Sequence, residues 1–209
     1  MSSKKGRVIL NETAFYYQYE NEKYPIEVRE AKSDDDFDSI VRINRSIFPH
    51  DNEIDDYARL WIQHNSNSPY FVITYNESNV VGYILSVVKG GYKRCITCEL
   101  EQLAIDTNYH REGFASSLIK ISLIKFQHLL QKRLQYSTLK IGIVYLTTGC
   151  TNYSAQLLYT KILEVKQKGA KICHIYGSNE YGEEEIIMVN ENLEPIVEKF
   201  MEEYRALKL

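Results

Sequence analysis

No run of about 18 consecutive apolar residues occurs in the 209-residue chain, which argues against a membrane-crossing helix. The opening MSSKKGRVILNETAFYYQYENEKY has neither the apolar core nor the small-residue cleavage site of a secretory signal, so a cytoplasmic location is expected. Positive charge is in short supply too. Lys and Arg number 25 against 28 Asp and Glu, a net charge of −3, without the basic field that a nucleic-acid partner needs. Neither G-x-x-x-x-G-K-[ST] nor an early G-x-G-x-x-G is present, so the P-loop and Rossmann routes to phosphate are unsupported. There are four cysteines, Cys95, Cys98, Cys150 and Cys173. Cys95-x-x-Cys98 stands alone, with no second pair and no histidines at metal spacing, so core or boundary thiols are expected and no metal site. With no internal repeat, low-complexity tract or linker, residues 1–209 read as a single domain.

What is present suits a soluble globular chain with a core of its own. Apolar residues make up 44% and charged residues 25%, enough of each to need no staple. The 17 tyrosines suit walls that are apolar but end in a hydrogen-bonding tip.

Residues 1–24 read as an irregular extension with a short strand at 7–10. Alternation marks a first strand at 26–29 (IEVR). Ser33 then offers an N-cap ahead of Asp34, Asp35 and Asp36, and Phe37, Ile40, Val41 and Ile47 recur at helical spacing over Asp34–Ile47. A second helix is expected at 53–64. Strands at Tyr70–Tyr75 and 80–88 flank a hairpin turn, and a long strand follows at 96–106. The rest reads as helix 112–132, strand 140–147, helix 154–166, strands 171–176 and Glu185–Asn190, and a charged helix at 193–207. Hairpin-joined strands pair antiparallel, while the β-α-β passage from 96 to 147 demands a parallel pair between the fourth and fifth strands of this count. The fold class is therefore α/β of the α+β type: a mixed, mostly antiparallel central sheet with helices on both faces.

The densest signal is LEQLAIDTNYHREGFASS, residues 100–117, where an apolar strand runs through a polar turn into a helix. Small residues at a helix start leave backbone N–H groups free for an anion, and the helix dipole favours it. Some 40 residues on, Asn152, Ala155 and Tyr159 recur at i, i+3 and i+7 after another strand, an unusual trio for a core stripe.

Together these two stretches resemble the GNAT superfamily of acyl-CoA N-acyltransferases. The family's [Q/R]-x-x-G-x-[G/A] slot is filled by His110-Arg111-Glu112-Gly113-Phe114-Ala115, with His110 in place of the usual Gln or Arg. Its N-x-x-A-x-x-x-Y pattern is matched at Asn152, Ala155 and Tyr159, although the Gly-Phe that commonly follows is replaced by Ile162-Leu163-Glu164. The resemblance spans about residues 25–190. It implies acetyl-CoA as the acyl donor, with its pyrophosphate on the backbone of Arg111, Glu112, Gly113, Phe114 and Ala115, extended by Ser116 and lined by His110. It implies a pantetheine arm along Leu103, Ala104 and Ile105, a cofactor contact at Asn152, and Tyr159 as the acid that protonates the departing thiolate.

Amine attack on a thioester needs a neutral amine, and freeing a lysine-like amine at pH 7 costs about 4–5 kcal/mol, against about 1 for an α-amine. The base candidates are Glu99 and Glu101, on one strand face by the period of two; the alternative is that both are surface partners of Lys93 or Arg94. The acidic groups Asp51, Glu53, Asp55 and Asp56, and Glu180, Glu183, Glu184 and Glu185, favour a cationic acceptor such as a protein N-terminus, a lysine or a polyamine. The alternative function is a non-catalytic acyl-CoA sensor or interaction module. A monomer or a homodimer is expected.

Overall fold

Local chain chemistry sets the first helix. Ser33 accepts from the Asp36 N–H at 3.2 Å, and the Asp36 carboxylate accepts from the Ser33 N–H at 3.2 Å, a reciprocal capping box. The same carboxylate takes the Arg29 guanidinium at 2.6 and 2.7 Å, which fastens the helix start to the strand before it. Burial would raise the Asp36 carboxyl, but Arg29 and the N–H groups of Lys32 and Ser33 hold it well below the usual carboxylate range.

The computed structural model describes residues 6–11, 14–19, 22–48, 69–76, 79–92, 94–168 and 185–204. Its strands are β1 (Arg7–Asn11), β2 (Ala14–Tyr19), β3 (Glu22–Glu30), β4 (Tyr70–Tyr75), β5 (Asn79–Tyr92), β6 (Cys95–Ile105), β7 (Lys140–Gly149), β8 (Lys166–Gln167) and β9 (Glu185–Asn190). The helices are α1 (Asp34–Ile47), α2 (Phe114–Arg133), α3 (Tyr153–Leu163) and α4 (Glu194–Glu203). One sheet runs in the order β1-β2-β3-β4-β5-β6-β7-β9-β8. Every pair is antiparallel except β6 with β7. The parallel pair is thus β6/β7 and not β4/β5. The segments around 96 and 140 do pair in parallel, but two N-terminal strands precede them and shift the count.

β1 matches the short strand expected at 7–10, whereas β2 and the joining of both to β3 correct the expectation that the rest of the extension is irregular. β1 and β2 form a full hairpin that adds to β3. Its hold on the rest is aromatic: the Tyr17 ring lies 5.1 Å from that of Phe114, 5.6 Å from Tyr75 and 6.3 Å from Tyr109. Much of the chain's tyrosine is spent here, in a cluster whose hydroxyls also bond each other, Tyr109 to Tyr75 at 3.1 Å.

Both sheet faces are covered, as the mixed-sheet reading expects. On one, α1 sets Phe37, Ile40 and Ile43 against Val72, Tyr83 and Leu85. On the other, α2 lies across β3 to β6 beneath α3 and α4, which is why it is apolar on most sides rather than along one stripe. Cys95 is exposed and Cys98 fully buried, its thiol pushed up to about 12 by burial, so the two sulfurs occupy different environments. The helix expected at 53–64, the strand expected at 171–176 and the acidic residues expected near the acceptor, apart from Glu185, lie outside the described residues.

Candidate active site

The site begins where β6 and β7 part. They pair only over Cys95–Glu99 of β6, and the last partners in register are Glu99 and Tyr145. Beyond that point β7 pairs with β9, while β6 continues to Ile105 with β5 along one edge only. The other edge of Leu100 to Ile105, which includes the predicted pantetheine segment Leu103, Ala104 and Ile105, has no strand against it among the described residues. A free strand edge beside a cleft can take an extended amide-bearing ligand as an added strand.

A polar cluster sits at the crotch of this opening. Two bulges build it. In β5, Val88 pairs with Cys98 and Gly90 with Thr97, so Lys89 is extra; in β6, Gln102 pairs with Leu85 and Leu100 with Ser86, so Glu101 is extra. Because Glu101 is itself the bulge residue, strict alternation does not place Glu99 and Glu101 on one face. The two carboxylates converge all the same, on Lys89: its ammonium is 2.8 Å from Glu99 and 3.4 Å from Glu101. Tyr145 donates to Glu99 at 3.2 Å. Glu99 is 2% exposed, so it is a buried carboxylate, and it is paired with Lys89. Burial by itself would lower Lys89, but the two carboxylates outweigh it and raise the ammonium. Burial also pushes the Glu101 carboxyl up, against the pull of Lys89. Burial, then Glu99, lift the Tyr145 phenol to about 12. Lys89 and Tyr145 escaped the sequence reading because only cross-strand register brings them to Glu99; the Gly90-Gly91 pair after Lys89 is the one local hint of an irregular strand.

At the far end of β6 the backbone is left open. Asp106 caps a 3₁₀ turn, Thr107–Tyr109, and is held by Arg42 of α1 at 3.0 Å. His110, expected to line the loop, also ties it back to the strand: its Nε2 lies 2.7 Å from the Ile105 carbonyl. Arg111 (φ 66°) and Gly113 (φ 97°) both take the left-handed region, turning successive N–H groups into a concave nest. No described residue accepts from the N–H groups of Arg111, Glu112, Gly113, Phe114, Ala115 or Ser116. Phe114 is buried and anchors the helix start. Six donors at the positive end of a 20-residue helix are an anion cradle, and the residues present fit a diphosphate. Gly113 is required twice over, by its φ and because a Cβ there would stand 3.3 Å from Val8.

α3 borders the same opening through its link to β7, where Gln156 donates to the carbonyls of Gly149 and Cys150 at 3.0 Å each. Asn152 is the N-cap of α3, outside its first turn, and its side-chain oxygen accepts from the Ala155 N–H at 3.2 Å. Tyr159 is half-buried against the main core with no hydrogen-bond partner among the described residues, and burial pushes its phenol up to about 12. A phenol held protonated and unpaired is suited to donate to an incoming group.

The model of the acetyltransferase (GNAT) family matches residues 37–164. Among solved structures, the chain is similar to the NatC complex bound to Gag peptide and CoA (16% identity, TM-score 0.60, covering 79% of this chain and 98% of that one). It is also similar to the ribosomal-protein-S18-alanine N-acetyltransferase from Escherichia coli (17%, TM-score 0.59, 78% and 92%). A third likeness is to spermidine N-acetyltransferase from Vibrio cholerae in complex with CoA and spermine (18%, TM-score 0.59, 81% and 96%). At these identities the likeness is one of fold. A search of the curated proteins finds no match.

Proposed function

The chain belongs to the acetyltransferase (GNAT) family, and within it we propose an N-acetyltransferase that moves an acetyl group from acetyl-CoA to a primary amine by direct attack on the thioester. The observation that carries this reading is the pairing of an unfilled N–H cradle with a free β6 edge, one after the other along a single strand-loop-helix path. The backbone of residues 111–116 holds the diphosphate of acetyl-CoA. Leu103, Ala104 and Ile105 pair with the pantetheine amides, which lays the thioester toward the crotch and Tyr159.

Three proton tasks remain for the chain's own residues. The acceptor arrives as an ammonium and must lose a proton; Glu99, reached directly or through water, receives it, with Glu101 as the second carboxylate in reach of the same cluster. As the N–C bond forms and the C–S bond breaks, Tyr159 gives its proton to the sulfur, and the surplus proton on the new amide nitrogen returns to the Tyr159 phenolate. The buried cluster around Glu99 carries two carboxylates and one ammonium, so it keeps a negative balance facing the acceptor. That balance, with the acidic runs at residues 51–56 and 180–185, favours a cationic amine: a protein N-terminus, a lysine side chain or a polyamine.

Release of free CoA thiol from acetyl-CoA, measured against a panel of peptide N-termini, lysine peptides and polyamines, tests the proposal. Amine-dependent release, with the acetyl group found on nitrogen, is the expected result. Tight acetyl-CoA binding with no release for any amine would overturn it in favour of an acyl-CoA sensor.

A further inference from the structure

The N-terminal hairpin, which lies ahead of the family match, holds on to the cradle loop at three points. The Val8 N–H donates to the Glu112 carbonyl at 2.7 Å. The Val8 side chain lies against Gly113. The Tyr17 hydroxyl, opposite Val8 in the hairpin, is hydrogen-bonded to the Glu112 carboxylate, and the Tyr17 ring packs on Phe114. Glu112 is only 6% exposed, and its Oε2 has no hydrogen-bond partner among the described residues. A carboxylate in this loop is an awkward choice. It sits within a run of six N–H groups that have no described acceptor, and a side-chain carboxylate readily caps a helix start by itself.

We propose that Tyr17 is a positioning residue for donor binding: the β1–β2 hairpin draws the Glu112 carboxylate away from the loop's N–H groups and keeps the cradle open for the diphosphate of acetyl-CoA. The inference rests on reading residues 111–116 as the diphosphate site. Without the Tyr17 hydroxyl, Glu112 has no described donor left where it lies, and its carboxylate turns to the N–H groups and competes with the phosphates. The Val8 bond acts in the same sense, since it occupies the Glu112 carbonyl and fixes the peptide whose neighbours face the ligand.

Calorimetric affinities of the full chain for acetyl-CoA and for S-acetyl-pantetheine, which lacks the diphosphate, test this. Tyr17→Phe keeps the ring and is expected to weaken acetyl-CoA about tenfold, the scale of one hydrogen bond to a charged group, while leaving S-acetyl-pantetheine unchanged. Glu112→Gln in the Tyr17→Phe background removes the competing charge and is expected to restore acetyl-CoA affinity to within about twofold of the parent. Equal losses for both donors, no loss for either, or no rescue by Glu112→Gln would each overturn the proposal. Gly113→Val separates the two readings. If it weakens acetyl-CoA while Tyr17→Phe does not, the cradle stands and the hairpin's role falls. If neither changes acetyl-CoA affinity, the cradle reading itself fails.

Discussion

At the Glu99 end of β6 the side chains find partners within the protein: two carboxylates share the Lys89 ammonium, and Tyr145 donates to Glu99. At the Ile105 end the opposite holds, for six consecutive N–H groups find no acceptor among the described residues. One strand and the loop after it thus join a closed polar cluster at Glu99 to an open one that begins a dozen residues later at Arg111. Buried charges must be paired to persist, whereas backbone donors at a helix start tolerate exposure to water until a ligand replaces it. The difference teaches where each property resides. On the function proposed above, donor affinity belongs to the open end, and proton handling belongs to the closed end and to Tyr159.

Separating the two most sharply, Tyr159→Phe should cut turnover by about 10²-fold or more, the usual worth of a positioned acid, with acetyl-CoA affinity within about twofold of the parent. Steady-state rates and calorimetry on the same preparation check it; equal losses in both would merge the two ends into one binding site. Next in size, Lys89→Met removes the ammonium that two buried carboxylates share and should lower unfolding free energy by about 3 kcal/mol in urea melts. A loss below about 1 kcal/mol would mean that the cluster is as water-exposed as a surface pair. The smallest effect concerns pH. Folding raises the Tyr159 phenol to about 12, so the acid form is nearly full from about one pH unit below that value downward. The rate should climb as the acceptor amine deprotonates and then level off, with no fall up to about pH 10. A descending limb below that point would take Tyr159 out of the acid role.

Much of this arrangement was readable along the chain because it depends on near neighbours. Ser33 and Asp36 are three residues apart, and their capping box forms where expected. Likewise the strand-loop-helix path through residues 100–117 and the α3 start at Asn152 are local, and the α2 boundary moved by only two residues. The crotch cluster was half legible. Glu99 and Glu101 were singled out, but their companions come from β5 and β7, and no spacing along the sequence announces a bulge. The N-terminal hairpin was missed for a related reason. RVILN and AFYYQY are short strands whose stability comes from pairing with β3 and from Tyr17 seated among Tyr75, Tyr109 and Phe114, contacts far away in the chain.

By itself the sequence determined the helix starts, the strand order through the parallel crossing and the small-residue loop that opens α2, since capping, alternation and left-handed backbone are properties of a few consecutive residues. Only the tertiary structure decided that Glu99 is buried and paired with Lys89, that β6 and β7 separate just beyond Glu99 and Tyr145, and that Tyr17 holds Glu112. Those outcomes are set by register between strands distant in sequence, where a single extra residue re-aims a side chain and changes which charges meet.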